Sequence, residues 1–328
     1  MKKIITCLLA GILMVTALVG CGQASTVSAA EHSGDTKILF IMPDLNDVFR
    51  ISLSNAIMSE CEAKGITVDL VQSGKSVEAQ YSLVESAKKQ GYSAIIIKLA
   101  DASTALQMDV ASNGLPIVYV NNKPKDEHLE ADKYIYVASN EEEAGQLQAE
   151  YVLNKLGNPS SMNVIIIEGE PGHSGTIGRT SAVKKTLKDN GCNANYVFVD
   201  YGNWSDSKAE DLFNIFTLTG QDVDAVFCNN DTMALGVIEA MKKNGYSYKD
   251  IPVCGVDATS NGCASIEKGE ISFSVLQNAK GQGAAAVDAA IALSKGGSIK
   301  NIEYATEDCK YIFVPFEPVD ASNVSNYR

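Results

Sequence analysis

Short apolar runs alternate with segments of helical periodicity along the chain from Lys37 onward. Residues 38–42, 66–71 and 94–97 have the length and composition of strands, and the last is apolar throughout, as a strand buried on both faces requires. Helical segments such as residues 77–90, which is followed by a glycine, lie between them. Repeated strand–helix–strand units predict parallel sheets with right-handed crossovers.

The same alternation begins again near residue 141. A chain of 328 residues is expected to form about two domains. Two such units in series predict an α/β fold with two Rossmann-like lobes that face one another, each a parallel sheet flanked by helices. In sheets of this kind ligands bind outside the carboxyl ends of the strands. The residues that follow each strand are therefore the candidates for a site.

Residues 1–20 have the features of a secretion signal. Lys2 and Lys3 precede a long, almost wholly apolar stretch. The stretch ends in Leu-Val-Gly-Cys, which resembles a bacterial lipobox, so we predict that cleavage leaves Cys21 lipidated. Residues 21–36 are rich in Ser, Ala and Gly and would form a flexible tether. We expect an exported protein, lipid-anchored to the outer face of the cell membrane or periplasmic; a simple signal peptide is the alternative.

The composition of the chain is acidic. The formal net charge is −13, and removal of the signal takes away two of the 27 basic residues but none of the 40 acidic ones. Such a surface repels nucleic acid and anionic lipid headgroups. A sugar-responsive repressor of the same fold would need a basic DNA-binding headpiece, which this N-terminus does not resemble. We expect no nucleic-acid partner.

Six cysteines remain once the signal peptide and the lipidated position are set aside. No pair of them has a CxxC spacing, and two fall inside apolar runs, so a metal site is not expected. Exported proteins can form disulfides, and one bridge stays open, but we predict mostly buried free thiols. The six are Cys61, Cys192, Cys228, Cys254, Cys263 and Cys309.

The stretch DAVFCNNDTMALG, over residues 224–236, joins a strand to a helix through three polar residues. Residues 225–228 predict a buried strand, and a helical pattern begins at Thr232. Asn230 offers both donors and an acceptor, and Asp231 could cap the helix. Closing a tight turn is the alternative role for these side chains.

Polar and aromatic residues follow the other predicted strands in a similar way. Carboxylates and amides can exchange hydrogen bonds with several hydroxyls at once, and aromatic rings can cover the flat faces of a pyranose. We therefore predict a polyol site between the lobes, with the sugar ring between Phe49 and Trp204. The candidate ligand-binding residues are Asp47, Phe49, Lys98, Asn121, His173, Arg179, Trp204, Asn230, Asp257 and Gln277.

Several motifs, in order along the chain, resemble those of one known family. They are Asp47-Val-Phe49 before a helix, GEPGH at residues 169–173 with Arg179 six residues on, Trp204, NNDTMALG at residues 229–236 and PVCGVDA at residues 252–258. From about Lys37 onward the sequence is similar to the bacterial galactose/glucose-binding proteins. These belong to the ribose-type class of periplasmic sugar-binding proteins that serve ABC transporters.

The resemblance implies a galactose-like or glucose-like monosaccharide, captured between the lobes by hinge closure, and an ABC transporter permease as partner. We expect a monomer that has no cofactor and is not an enzyme. The residues that the resemblance places in contact with the sugar are Asp47, Phe49, His173, Arg179, Trp204, Asn230 and Asp257.

The resemblance also implies how the chain divides into lobes joined by a three-crossing hinge. The first lobe would contain residues 37–138 and 278–303, and the second would contain residues 139–277 and 304–328. The hinge crossings would lie near residues 138–139, 277–278 and 301–307.

Three positions depart from the galactose type. Gly175 stands where an acidic residue is usual, and Lys98 and Gln277 each replace an asparagine. Lys98 could pair with Asp47 across the cleft, meet an acidic sugar or remain solvated at the rim. The calcium loop of that type has no counterpart here, because residues 156–162 contain no acidic side chain, so we expect no metal.

Two other classes of protein stay open at this point. A glycosidase could use Asp47 and Asp257 as its two carboxylates. The amides and the arginine near them favour two ionised carboxylates, however, whereas one must act as a protonated acid. A receptor for chemotaxis or for an autoinducer would share the fold and the site.

Overall fold

The computed structural model describes residues 36–327, which lie within one compact unit. The predicted signal peptide, Cys21 and nearly all of the tether fall outside the described residues. Within the described range, no helix is long and apolar enough to cross a membrane. The same range contains no group of three or more His, Cys, Asp or Glu side chains that could hold a metal ion.

Two six-stranded sheets organise the described chain. The strands, in chain order, are β1 (Lys37–Met42), β2 (Thr67–Gln72), β3 (Ala94–Ile97), β4 (Ile117–Val120), β5 (Tyr134–Ala138), β6 (Ser161–Glu168), β7 (Asn193–Tyr201), β8 (Ala225–Cys228), β9 (Val253–Cys254), β10 (Phe273–Leu276), β11 (Tyr311–Phe313) and β12 (Glu317–Asp320). The first sheet has the order β11-β5-β4-β3-β1-β2, and the second β12-β10-β9-β8-β6-β7. β12 pairs antiparallel with β10, and the other paired strands run parallel.

Helices cover both faces of each sheet and bury four apolar clusters, two in each lobe. The helices are α1 (Val48–Ala63), α2 (Val77–Ala87), α3 (Ala105–Ala111), α4 (Glu141–Lys155), α5 (Ser174–Asp189), α6 (Asp206–Thr217), α7 (Asp231–Asn244), α8 (Ser260–Glu267) and α9 (Ala279–Ser294). In the first lobe α1 and α9 pack on one face of the sheet, and α2 and α3 pack on the other. In the second lobe α4 and α5 pack on one face, and α6, α7 and α8 pack on the other.

The small residues of α9 let it lie very close to α1. A Cβ on Gly283 would stand 2.7 Å from the Cβ of Ala56 and 3.0 Å from that residue's carbonyl carbon. Only glycine fits that spacing without a shift of the backbone. The alanine-rich α9 is thereby fixed to the first lobe, although it follows a strand of the second.

The chain crosses between the sheets three times: after β5, after β10 and between β11 and β12. The prediction that residues 304–328 belong to the second lobe is wrong for β11. This strand pairs in parallel with β5 of the first sheet, with Tyr311 opposite Tyr136. The third crossing therefore lies at residues 314–316 instead of 301–307. The sequence of a short apolar strand does not indicate which sheet the strand will join. Here β11 pairs with the free edge of β5.

Two further elements differ from the sequence prediction. β12 was not predicted, because Glu317 and Pro318 give a weak strand signal; it forms as an antiparallel edge strand on β10. The cap of α7 is Asn230, whose side chain accepts a hydrogen bond from the Met233 N–H. Asp231 instead lies inside the first turn and accepts from the Ser274 hydroxyl at 2.6 Å, which ties α7 to β10.

The six cysteines of the described chain are all free and buried, which confirms the prediction of buried thiols. Cys228 and Cys254 lie in the neighbouring strands β8 and β9. Burial raises the pKa of both thiols. They therefore behave as small apolar residues of the core.

Candidate functional site

A cavity lies between the two lobes, outside the carboxyl ends of strands from both sheets. Nine of the ten predicted site residues line it, together with one residue that was not predicted. The space between atoms in this cavity, including the part that is open to solvent, is about 280 Å³. The lining residues are Asp47, Phe49, Arg50, Asn121, His173, Arg179, Trp204, Asn230, Asp257 and Gln277.

Aromatic rings from both lobes face this cavity. Phe49, in the first turn of α1, packs against the core of the first lobe and is 5% exposed. Trp204 follows β7 in the second lobe, and its indole lies edge-on to the His173 ring at a centroid distance of 5.3 Å. The two rings supply the apolar walls that a flat ring ligand needs.

Arg179 is the centre of a buried hydrogen-bond network. Its Nε donates to Glu141 Oε2 at 2.7 Å, Nη1 to the Asn229 carbonyl at 2.6 Å, and Nη2 to Gln277 Oε1 at 2.9 Å. Burial acts to lower its pKa, but Glu141 and Asp257 outweigh burial and raise it. The guanidinium therefore stays charged and holds Gln277 in a fixed orientation, with the amide nitrogen free.

Asp257 faces the cavity from an unusual backbone conformation. Its φ is 106°, a region that residues with a side chain rarely adopt. Its Oδ1 lies 3.9 Å from Arg179 Nη1, too far for a hydrogen bond. Burial raises the pKa of this carboxyl well above its usual range, although Arg179 opposes the shift. Of the two opposing effects on this carboxyl, burial is the larger.

Three buried polar atoms around the cavity have no hydrogen-bond partner among the residues that the structure describes: Trp204 Nε1, Gln277 Nε2 and Asp257 Oδ1. Leaving such an atom buried and unpaired costs about 1–3 kcal/mol. The first two are donors and the third is an acceptor when ionised. The set matches the hydroxyls of a polyol, which accept from N–H groups and donate to carboxylates.

Two more residues are held at the cavity by capping helices. His173 caps α5, and its Nδ1 accepts from the Gly175 N–H at 3.0 Å, which assigns the ring proton to Nε2. Burial lowers the pKa of His173 well below its usual range, so the ring is neutral and its Nε2–H is a donor. Asp47 caps α1 through the N–H of Arg50 at 2.9 Å and keeps its second oxygen for other partners.

Lys98 is the one predicted site residue that does not line this cavity. It borders an adjacent space beside Arg50 and Glu170 and is 2% exposed. Its ammonium makes no hydrogen bond or ion pair with any residue of the range 36–327, so the pair with Asp47, one of the alternatives for Lys98, does not form. Burial lowers its pKa to about 7, and the positive charge of Arg50 adds to the effect.

Arg50 also lines the cavity, although it was not predicted from the sequence. It directly follows Phe49 in the sequence DVFR, and this position in the first turn of α1 could have indicated its place. Its Nη1 donates to Asp44 at 2.7 Å and its Nη2 to Glu170 of the second lobe at 2.9 Å. Burial acts to lower its pKa, but the three nearby carboxylates, Glu170 first among them, outweigh it.

The lobes contact each other directly on both sides of the cavity. On one side Glu170 pairs with Arg50 and also accepts from Lys75 Nζ at 2.6 Å. On the other side the Ser174 N–H donates to Asn122 Oδ1 at 3.2 Å, and the Ser174 hydroxyl accepts from the Lys123 N–H at 2.9 Å. The structure is therefore that of a closed cleft.

Comparison with known proteins identifies relatives over nearly the full length. The chain is 30% identical over 315 residues to a putative rhizopine-binding protein of Rhizobium meliloti, with 95% of this chain and 98% of that protein covered. It is 27% identical over 320 residues to the D-galactose/methyl-galactoside binding periplasmic protein of Haemophilus influenzae, covering 92% and 94%.

Solved structures share the architecture. An ABC transporter solute binding protein from Bacillus halodurans with bound myo-inositol matches with a TM-score of 0.79 and 27% identity, over 90% of this chain and 98% of that one. A Caulobacter myo-inositol binding protein matches with a TM-score of 0.76 over 90% and 96%; at 22% identity this likeness shows the fold alone. The model of the periplasmic binding protein domain family matches residues 38–298, and the chain belongs to that family.

Proposed function

We propose that this protein is the extracytoplasmic binding component of an ABC importer and that it captures a neutral polyol ring, such as a galactose-like or glucose-like monosaccharide, between its lobes. Hinge closure brings the first-lobe residues Asp47 and Phe49 against second-lobe partners. The closed form is then what a permease recognises. In the same proposal Cys21 carries the lipid that holds the protein, as a monomer, at the outer face of the membrane.

The observation that carries the proposal is the set of unpaired buried atoms on Trp204, Asp257 and Gln277 between two aromatic walls. A ring with several hydroxyls can satisfy all three at once. A purely apolar ligand would leave them unpaired and would forfeit about 1–3 kcal/mol for each.

The charges around the cavity favour a neutral ligand over an acidic one. Arg179 and Arg50 are each already paired with carboxylates, Glu141 for the first and Asp44 with Glu170 for the second. Asp47 and Asp257 line the cavity as well. A uronate would have to approach them without a free cation, because Lys98 borders a different space.

A cyclitol is the second candidate ligand. An inositol carries a hydroxyl on every ring carbon and no ring oxygen, so every ring position offers a hydroxyl to the polar atoms of the cavity. Gly175 lacks the acidic acceptor that the galactose type has at this position, so the hydroxyls that are recognised should differ from those of galactose. The Bacillus halodurans neighbour was solved with myo-inositol bound, which supports the same choice.

Calorimetric titration against a small panel tests the proposal. The panel contains D-galactose, D-glucose, D-ribose, D-allose, myo-inositol, D-glucuronate and, as a cationic control, D-glucosamine. We expect binding of at least one neutral member and none of glucuronate, with the heat lost in Asp257→Asn. Absence of binding to every neutral polyol, or preferential binding of the uronate, would refute it.

Two alternative functions are separated by simple measurements. Turnover of aryl glycosides, lost in Asp47→Asn and in Asp257→Asn, would assign a glycosidase instead of a binding protein. A sensor shares the site, so ligand binding cannot distinguish it from a transport protein. Uptake of the radiolabelled ligand by cells that lack the gene would decide, because only a transport component reduces uptake when it is absent.

A further inference from the structure

We propose that Glu170 sets the affinity and lifetime of the ligand complex without touching the ligand, by pairing with Arg50 and Lys75 of the opposite lobe only when the cleft is closed. The proposal rests on the polyol-binding function for its affinity measurement. The pairing itself can be tested without any ligand.

The position of Glu170 places it beside the site but outside it. It lies two residues after the end of β6, next to Gly169, and it is not among the residues that line the ligand cavity. Its two carboxylate oxygens go to different residues of the first lobe: Oε2 to Arg50 at 2.9 Å and Oε1 to Lys75 at 2.6 Å. Among residues 36–327 it therefore makes no ion pair within its own lobe that would survive opening.

The two pairs differ in their exposure to solvent. The Arg50 side chain is 6% exposed and that of Glu170 is 24% exposed, so their pair is shielded from salt, whereas the Lys75 side chain is 71% exposed. Exposed pairs contribute little, and shielded charge pairs across an interface contribute more. Most of the effect of Glu170 should therefore pass through Arg50, with a smaller part through Lys75.

The surroundings of Glu170 strengthen its preference for the closed cleft. Burial acts to raise its pKa, but Lys75, Arg50 and Lys98 outweigh burial and hold the pKa below its usual range. Lys98 has no ion-pair partner in the described part of the chain, so the Glu170 carboxylate is the second-lobe charge that offsets it. Opening the cleft would leave Lys98 and Lys75 without this anion.

Lys123 and Ser174 provide a matched contact of a different kind on the other side of the cavity. The Lys123 backbone N–H donates to the Ser174 hydroxyl across the two lobes, and neither of these groups is charged. A contact of this kind depends little on ionic strength. Ser174→Ala therefore separates the loss of any interlobe contact from the loss of the charged one.

The affinity test uses Glu170→Gln, Lys75→Gln and the double variant, titrated with myo-inositol and with D-galactose at about 0.02 M and about 0.5 M NaCl. We expect Glu170→Gln to weaken binding about three- to tenfold at low salt, mainly through faster release measured by stopped-flow fluorescence of Trp204. Lys75→Gln should weaken ligand binding less than Glu170→Gln does. In the Glu170→Gln background, Lys75→Gln should not weaken binding further. The ligand affinity of Ser174→Ala should depend on salt concentration as that of the unchanged protein does. The ligand affinity of Glu170→Gln should no longer depend on salt concentration.

The ligand-free test measures the distance between the lobes by pulsed electron paramagnetic resonance. Spin labels are placed on Lys89→Cys and Lys188→Cys, which are exposed positions in different lobes, whereas the six native cysteines of the described chain are buried. We expect Glu170→Gln to shift the unliganded population toward longer distances, and Asp189→Asn, which removes an ion pair within α5, to leave it unchanged. If neither polyol binds, the distance measurement still tests whether Glu170 holds the lobes together. Unchanged distances and unchanged affinity in Glu170→Gln would overturn the proposal.

Discussion

Trp204 occupies the space that Gly169 leaves by having no side chain: a Cβ on Gly169 would stand 2.0 Å from Trp204 Cη2 and 2.1 Å from Cζ2. Trp204 also adopts a φ of 63°, a conformation that strains a residue of this size. Both facts describe one constraint. The loop after β6 is kept thin so that the indole can reach the cavity wall from the loop after β7.

Replacing Gly169 by alanine should displace the indole and abolish measurable ligand binding, with only a small change in the free energy of unfolding. Trp204 is the single tryptophan of the chain, so its fluorescence maximum reports the displacement directly. A phenylalanine at position 204 lacks Cη2 and Cζ2. Gly169→Ala should therefore weaken ligand binding less in the Trp204→Phe background than in the unchanged protein. An equal loss of binding in both backgrounds would contradict the proposed contact.

Replacing Arg179 by methionine should destabilise the protein by about 3–5 kcal/mol, because Glu141 would be left as a buried carboxylate without its partner. The double variant with Glu141→Gln should be less destabilised than Arg179→Met alone. Urea denaturation followed by circular dichroism measures both. Lys185→Met on the exposed face of the same helix is the control and should change stability little. Additive effects of the two buried changes would argue against a coupled pair.

Replacing Lys98 by methionine should stabilise the protein, and the gain should depend on pH. Burial lowers the pKa of Lys98 from 10.5 to about 7 in the folded protein, whereas the unfolded chain keeps the ordinary value. Below pH 7 the lysine is charged in both states, so the full cost of burying the charge is present; it declines as pH rises from 7 toward 10.5. Lys98→Met has no charge at this position and therefore lacks this cost. Its advantage should be about 5 kcal/mol below pH 7 and should shrink above it.

Denaturation curves at several pH values test this sign. The unchanged protein should gain stability relative to Lys98→Met as pH rises above 7. Lys89→Met, which changes an exposed lysine, should run parallel to the unchanged protein at every pH. A gain for Lys98→Met that grew with pH would show that the charge of Lys98 is stabilising.

The six buried thiols should not react with a disulfide reagent while the protein is folded. Burial raises the pKa of Cys61 to about 11 and that of Cys263 to about 11, so almost no thiolate is present at neutral pH. A chain that begins at residue 36 should release no chromophore from Ellman's reagent until guanidinium unfolds it. Lys89→Cys should add one fast thiol as the control. Rapid reaction of any native cysteine would contradict its buried position.

The candidate site could be predicted largely because the carboxyl ends of parallel strands meet at one edge. Asn121, Asn230 and Gln277 each follow a strand within two residues, so the strand pattern alone placed them near one another. His173 and Trp204 lie farther from their strands. They were predicted as residues of the segments that follow those strands, and the loops that carry them reach the same cavity.

The choice between Lys98 and Arg50 could not be made in this way. Lys98 directly follows β3 and was predicted at the cavity, but its side chain borders the adjacent space. Arg50 lies in a helix and was not predicted, yet it lines the cavity. Side-chain direction decides both cases, and it depends on which carboxylates are near: Asp44 and Glu170 hold the guanidinium of Arg50 in place.

The sequence by itself determined the α/β class, the two lobes and most of the polar residues that surround the cavity, because strand and helix periods and the residues at strand ends are local properties. Only the tertiary structure decided that β11 joins the first sheet, that Asp257 is deep enough for burial to outweigh Arg179, and that Glu170 meets Arg50. Each of these depends on which distant segments are brought together. Pairing at a sheet edge, desolvation and contact across a cleft have no local signature in the chain.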